Sequence, residues 1–157
     1  MQPDIEKIIR QYLPDVIHMS LGTCRDGKPW VCEVHFAYDE DLNLYFRSKA
    51  DRRHSQEIAD NPNVAGDIVR QHQAGERPTG VYFEGTAKLV PPSNDQAIAF
   101  QYLKERFAIG SDAMQEATRP DGHKFYKVSV QNWYVFGELE PDKGSQKYQL
   151  PWNGGKE

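Results

Sequence analysis

Between His18 and Phe136 the chain repeatedly alternates apolar and polar residues over a few positions, then breaks at Asp, Gly or Pro. Strict alternation is the period of a half-buried strand, whose successive side chains point to opposite faces. His18 to Cys24 is the first such segment, and Asp26-Gly27 after it is a hairpin signal. In the second, Trp30, Cys32, Val34 and Phe36 alternate with Val31, Glu33 and His35. The acidic run Asp39-Glu40-Asp41 makes a turn, after which Leu42, Leu44 and Phe46 alternate with Asn43, Tyr45 and Arg47. These three segments are expected to form an antiparallel meander. Val64 to Val69 supplies a fourth strand. Val81 to Leu89 supplies a fifth, with a bulge or close backbone approach at Gly85, and Phe125 to Phe136 a sixth. An open sheet of six short strands would expose unpaired edges, and closure into a barrel removes them.

Helical spacing appears in three places. Ile5, Ile8, Ile9 and Tyr12 form one apolar stripe, with Pro3 at its start and Pro14 at its end. A short polar helix is expected between Asp51 and Asn61, stopped by Asn61-Pro62. After Pro91-Pro92, Ser93 and Gln96 have capping-box spacing, and the helix they open carries Ala99, Phe100, Leu103 and Phe107 on one face. Arg70 to Gly80 and Ile109 to Gly122 read as polar connections. At 157 residues the chain fits one domain, read as a barrel over residues 1–140 and a tail over 141–157. Leu150, Pro151 and Trp152 stand as an isolated apolar knot in that tail.

With 38% hydrophobic and 27% charged residues, the composition is that of a soluble globular protein. The formal net charge of -4 argues against a general nucleic-acid binder, which would carry a basic excess. No apolar run is long enough to span a bilayer, and Met1 to Gln11 lacks the apolar core of a secretion signal, so no membrane partner and a cytoplasmic location are expected. Cys24 and Cys32 are too few for a disulfide framework and read as small apolar side chains. The histidines have no metal-ligand spacing, so no metal site is expected. There is no Ser-His-Asp arrangement and no glycine-rich phosphate loop.

The stretch Phe46-Arg47-Ser48-Lys49-Ala50-Asp51-Arg52-Arg53-His54 carries the chemistry. It gathers four cations, a histidine and a serine hydroxyl where a strand gives way to a helix. A helix N-terminus presents free N–H groups and the positive end of its dipole, so this is an anion site suited to a phosphate. A solvated basic turn is the plain alternative.

The run from Met19 to Val69 resembles the pyridoxamine 5'-phosphate oxidase-like, FMN-binding split-barrel family. The likeness rests on the Asp26-Gly27 hairpin, the Trp30 to Phe36 strand, Leu44-Tyr45-Phe46-Arg47-Ser48, the pair Arg53-His54, and Asn61-Pro62-Asn63-Val64-Ala65. Gly80 to Leu89 and Lys124 to Gly137 resemble the strands that follow. The resemblance implies a mainly β fold, a six-stranded antiparallel split barrel with flanking helices, binding FMN as a homodimer. It implies that Glu33, Val34 and His35 lie along the flavin ring, with Phe46 and Arg47 on the adjoining strand. Ser48 would hydrogen-bond the flavin, Arg47 or Lys49 would offset charge on it, and Arg53 and His54 would grip the phosphate with Gln56 helping. Relatives usually carry Arg-Lys at the pair and a base at the position of Gln56, so this chain departs from the pattern. Lys49 and Arg52 are the cations in reach to compensate. His35 fits either a ring contact or a plain packed histidine.

The reading is an FMN-dependent oxidoreductase acting on an unidentified small molecule, with no catalytic residue assigned. A non-catalytic storage or sensing module, or the same fold holding a deazaflavin or haem, stands beside it. Tyr82, Phe83, Trp133 and Tyr134 are the aromatics expected to build the dimer interface, with Trp133 and Tyr134 also fitting the core.

Overall fold

The computed structural model describes residues 2–154. Helix α1 spans Ile5–Tyr12, and the Asp4 carboxylate caps it by accepting the Lys7 N–H at 3.1 Å. A 3-10 turn, Leu13–Asp15, leads into β1 (His18–Arg25). Then come β2 (Lys28–His35), β3 (Ala37–Tyr38), β4 (Leu44–Lys49), α2 (Arg53–Asp60), β5 (Asn63–Ile68) and β6 (Gly80–Leu89). Helix α3 spans Asn94–Phe107 and α4 spans Ala113–Glu116, and β7 (His123–Gly137) and β8 (Gln146–Pro151) complete the chain.

All strands pair antiparallel in one sheet of order β2-β1-β5-β6-β7-β4-β3, with β8 also on β7. β2 and β3 stand at opposite ends of that order, yet only Phe36 separates them. The sheet must therefore curl until its two ends meet in one continuous extended segment, where Phe36 N–H donates to Ile17 O at 3.1 Å. This is the expected split-barrel architecture, with eight strands among the described residues rather than six. β3 is too short to show a period. β8 hides because only Tyr148 and Leu150 in it are even partly buried.

The expected meander does not form. β4 pairs with β7, from Leu44 opposite Val128 to Lys49 opposite His123, and not with β2. The turn before it is closed locally by Asp39, which accepts from Asn43 N–H at 2.9 Å and Tyr45 OH at 2.7 Å. The capping box is also absent: Ser93 Oγ donates to Pro91 O at 2.9 Å, and Gln96 is buried. Gly85 does mark a bulge against β7, and a Cβ there would lie 2.1 Å from Ser129 O.

The barrel interior holds Met19, Leu21, Phe36, Phe46, Phe83, Val128 and Trp133, all essentially inaccessible. Each such side chain contributes roughly 1.5–3 kcal/mol by leaving water. Phe83 and Trp133 therefore belong to the core and cannot build a dimer interface. Tyr82 and Tyr134, opposite one another on β6 and β7, face outward and are half-buried. Helices α3 and α4 cover the other face of β4 and β7 through Ala99, Leu103, Ala113 and Phe125. Cys24 and Cys32 are free and half-buried, and burial pushes the Cys32 thiol up to about 11.

Candidate functional site

Because β4 alternates, Phe46 and Ser48 turn inward while Arg47 and Lys49 face out toward α3, α4 and the start of β7. The end of β2 passes nearby and α2 begins just beyond. These elements enclose a cleft of about 400 Å³. One wall is apolar, formed by Leu103 and Phe107 of α3 with Ile109. The His35 ring stacks on Phe107, centroids 5.0 Å apart and planes 7° off parallel. Arg106 fixes this end of α3 by donating to Phe36 O at 2.9 Å and Leu13 O at 3.0 Å.

The other wall is cationic. Lys49 and Arg52 line it, and among the described residues neither side chain has an ion-pair or hydrogen-bond partner. Arg47 donates from Nη2 to Glu116 Oε2 at 2.8 Å, while its buried Nε has no acceptor. Ser48 Oγ and His54 Nε2 are 2.7 Å apart in a buried pair. Burial, helped by the nearby Arg52 charge, lowers the His54 pKa, so the ring is neutral at pH 7.

Seven residues named from the sequence line this cleft: Glu33, Val34, His35, Arg47, Ser48, Lys49 and His54. Three lie elsewhere. Phe46 is wholly buried in the barrel core, stacked on Tyr126. Arg53 turns to the β2 side of α2, where Nε donates to Glu57 Oε2 at 2.8 Å and the guanidinium covers the Trp30 ring at 4.0 Å. Gln56 is exposed and borders a separate apolar groove with Ala59 and Leu89. The cationic stretch carried the signal for Arg52, and the apolar face of α3 that for Leu103 and Phe107. Nothing local in the sequence pointed to His123, which also lines the cleft.

His123 has a carboxylate partner. Glu116 Oε1 accepts from His123 Nδ1 at 2.8 Å and from the His123 N–H at 3.1 Å. These two bonds and the Arg47 charge hold the Glu116 carboxyl well down, at about 2. No group of three or more metal-ligating side chains assembles among the described residues. The donor set fits an anion: two cations without carboxylate partners among the described residues, beside the first N–H groups of α2.

Residues 5–137 match the profile of the family described as pyridoxamine 5'-phosphate oxidase. The chain belongs to that family. A UPF0306 protein of Yersinia pseudotuberculosis is 24% identical over 108 residues, 68% of this chain and 73% of the relative. A haem-binding protein from Mycobacterium smegmatis superposes with a TM-score of 0.76 at 16% identity over 96% of this chain, which spans 59% of that longer one. A FAD-binding protein from Mesorhizobium loti gives 0.62 at 18% identity, over 84% of this chain and 92% of that one. These likenesses show the split-barrel fold, in which neighbours of this family member bind flavin or haem.

Proposed function

We propose that the cleft binds FMN and that the protein is an FMN-dependent oxidoreductase of the pyridoxamine 5'-phosphate oxidase family. The reading is carried by Lys49 at the end of β4 and Arg52 at the start of α2, two cations lining one cleft with no partner among the described residues, in a protein of net charge -4. A dianionic phosphate there gains charge-assisted hydrogen bonds from both and from the α2 N–H groups. The planar wall of His35 and Phe107 suits a flat ring system on the apolar side. FMN would supply the redox chemistry, while these residues bind, orient and exclude water. The substrate in this reading is a small molecule entering beside the flavin.

The second copy of the homodimer would meet the outer face carrying Tyr82 and Tyr134 and the exposed β2 residues Trp30 and Val31. Sedimentation that gives a monomer at every concentration ends that part of the reading.

One observation favours haem instead: three imidazoles, His35, His54 and His123, line the same cleft. Titration of the ligand-free protein with FMN, riboflavin and haem separates the two. FMN is expected to bind at least about tenfold more tightly than riboflavin, the effect of one charge-assisted bond. Equal affinity for FMN and riboflavin overturns the phosphate site, and binding of haem alone overturns the flavin. Reduction of bound FMN by NADH or NADPH, then reoxidation by a substrate, separates an enzyme from a storage or sensing module.

A further inference from the structure

The cleft contains an imidazole held by a carboxylate, a pairing beyond what phosphate binding needs. Glu116 is fully ionised at neutral pH, so it can only accept. The His123 nitrogen facing it, Nδ1 at 2.8 Å, must therefore carry the proton. In the neutral ring this leaves Nε2 bare. No protein group among the described residues bonds to Nε2, and His123 lines the cleft, so Nε2 is the ring nitrogen left for a ligand there. The backbone helps to fix the ring, because the His123 N–H donates to the same Glu116 oxygen at 3.1 Å. Lys124 Nζ, bonded to Ala117 O at 2.6 Å and Arg119 O at 2.5 Å, ties the end of α4 and the turn after it to β7. A carboxylate that fixes an imidazole's tautomer and offsets the imidazolium charge is the arrangement used for proton transfer.

We propose that His123, oriented by Glu116, is the general base of the cleft. The substrate class that follows carries an ionisable O–H or N–H within reach of His123. In the step, the substrate's O–H or N–H bond breaks and its electron pair stays on the heteroatom. The proton forms a bond to Nε2, and the resulting imidazolium is balanced by the Glu116 carboxylate. The charged groups facing the ring are Glu116 from α4 and Arg47 and Lys49 from β4, and Lys49 sits directly opposite His123 in the strand register. Release of that proton from Nε2 to solvent regenerates the base. Glu116 is a positioning residue, since it acts through His123. The proposal rests on the cleft being a ligand site, but it is independent of which ligand binds.

The test uses the ligand-free full chain. Nitrogen-15 imidazole correlation spectra at pH 8 are expected to show His123 with Nδ1 protonated and Nε2 bare. Glu116→Ala is expected to lose that single tautomer. Diethyl pyrocarbonate, read by mass spectrometry, is expected to modify His123 at Nε2, with exposed His72 as the internal reference. Added FMN is expected to block His123 and leave His72 reactive. A protonated Nε2 in the neutral ring, or a His123 that resists the reagent while His72 reacts, overturns the proposal. So does a tautomer that survives Glu116→Ala. If FMN neither binds nor protects while the tautomer and the reactivity are as expected, the flavin reading fails and the base stands.

Discussion

Arg53 covers the Trp30 indole at 4.0 Å and does not face the cleft that its neighbour Arg52 lines. Its Nε also bonds Glu57, whose largely buried carboxylate takes a second bond from Thr23 Oγ1 at 2.9 Å. Arg53 thus braces α2 against β2 and orients Glu57, which with Arg25 ties α2 to β1, and Arg52 is the free cation among the described residues. Arg52→Ala is expected to weaken FMN binding by about tenfold or more, from loss of one charge-assisted bond. Riboflavin affinity should stay the same. Arg53→Ala is expected to leave the FMN-to-riboflavin ratio unchanged and to lower Tm by roughly 2–4 °C. Flavin fluorescence titration and thermal melts of both variants check this, and a selective loss of FMN in Arg53→Ala would reverse the assignment.

His54 gives the fold an acid-sensitive point. Its ring is buried against Ser48, and burial lowers its pKa below the ordinary 6.5. In the unfolded chain the ring takes a proton near 6.5, so between that value and the lower folded one the native state holds fewer protons. Stability from this site is complete above about pH 6.5 and is lost as pH falls below it. The slope from one proton is at most about 1.4 kcal/mol per pH unit. Urea midpoints at pH 7.5 and 5.5 are expected to fall more for the native sequence than for His54→Gln. Equal slopes would mean that the ring is already charged in the fold.

Much of the barrel is legible in the sequence because a half-buried strand writes its period into the chain. Leu44, Phe46 and Ser48 turn inward, Tyr45, Arg47 and Lys49 outward, and the alternation is visible residue by residue. The pairing of β4 with β7 is not legible, since Lys49 and His123 meet across a long stretch of chain and no local pattern encodes the match. The same division holds at the cleft. The cationic stretch announces an anion site, but which arginine faces it depends on where the helix begins. Arg52 is the extended N-cap residue and Arg53 the first helical one, and that change of backbone sends Arg53 to Trp30 while Arg52 stays at the cleft. The Glu116 and His123 pair depends on the shape of an irregular turn, which has no period to read.

Glu116 predicts a second pH window, of opposite chemistry. Its folded pKa of about 2 lies below the ordinary 4.5, first because His123 donates to it and further because Arg47 lies beside it. A depressed carboxyl stabilises the fold above the unfolded value and loses that contribution as pH falls through the folded one. Glu116→Gln is therefore expected to be less stable than the native sequence at pH 6–7. The gap should narrow below pH 4.5 and close near pH 2. Chemical denaturation of both proteins across that range measures it, and a gap independent of pH would show that the carboxylate charge contributes nothing.

Gly122 and Gly27 separate two reasons for glycine near function and away from it. Gly122 has ordinary backbone angles, but a Cβ on it would lie 2.0 Å from Glu116 O, against rigid backbone at the end of α4. Gly27 has open space around it and a φ of +74° in the β1 to β2 turn. Gly27→Ala is expected to cost about 1 kcal/mol of backbone strain and to leave the cleft alone. Gly122→Ala must push α4 away, costing about 1–3 kcal/mol and moving Glu116 off His123. Urea unfolding gives the two costs. The His123 nitrogen-15 shifts give the rest: they are expected to change in Gly122→Ala and to stay fixed in Gly27→Ala. Unchanged His123 shifts in Gly122→Ala would mean that the turn after α4 yields without disturbing the carboxylate.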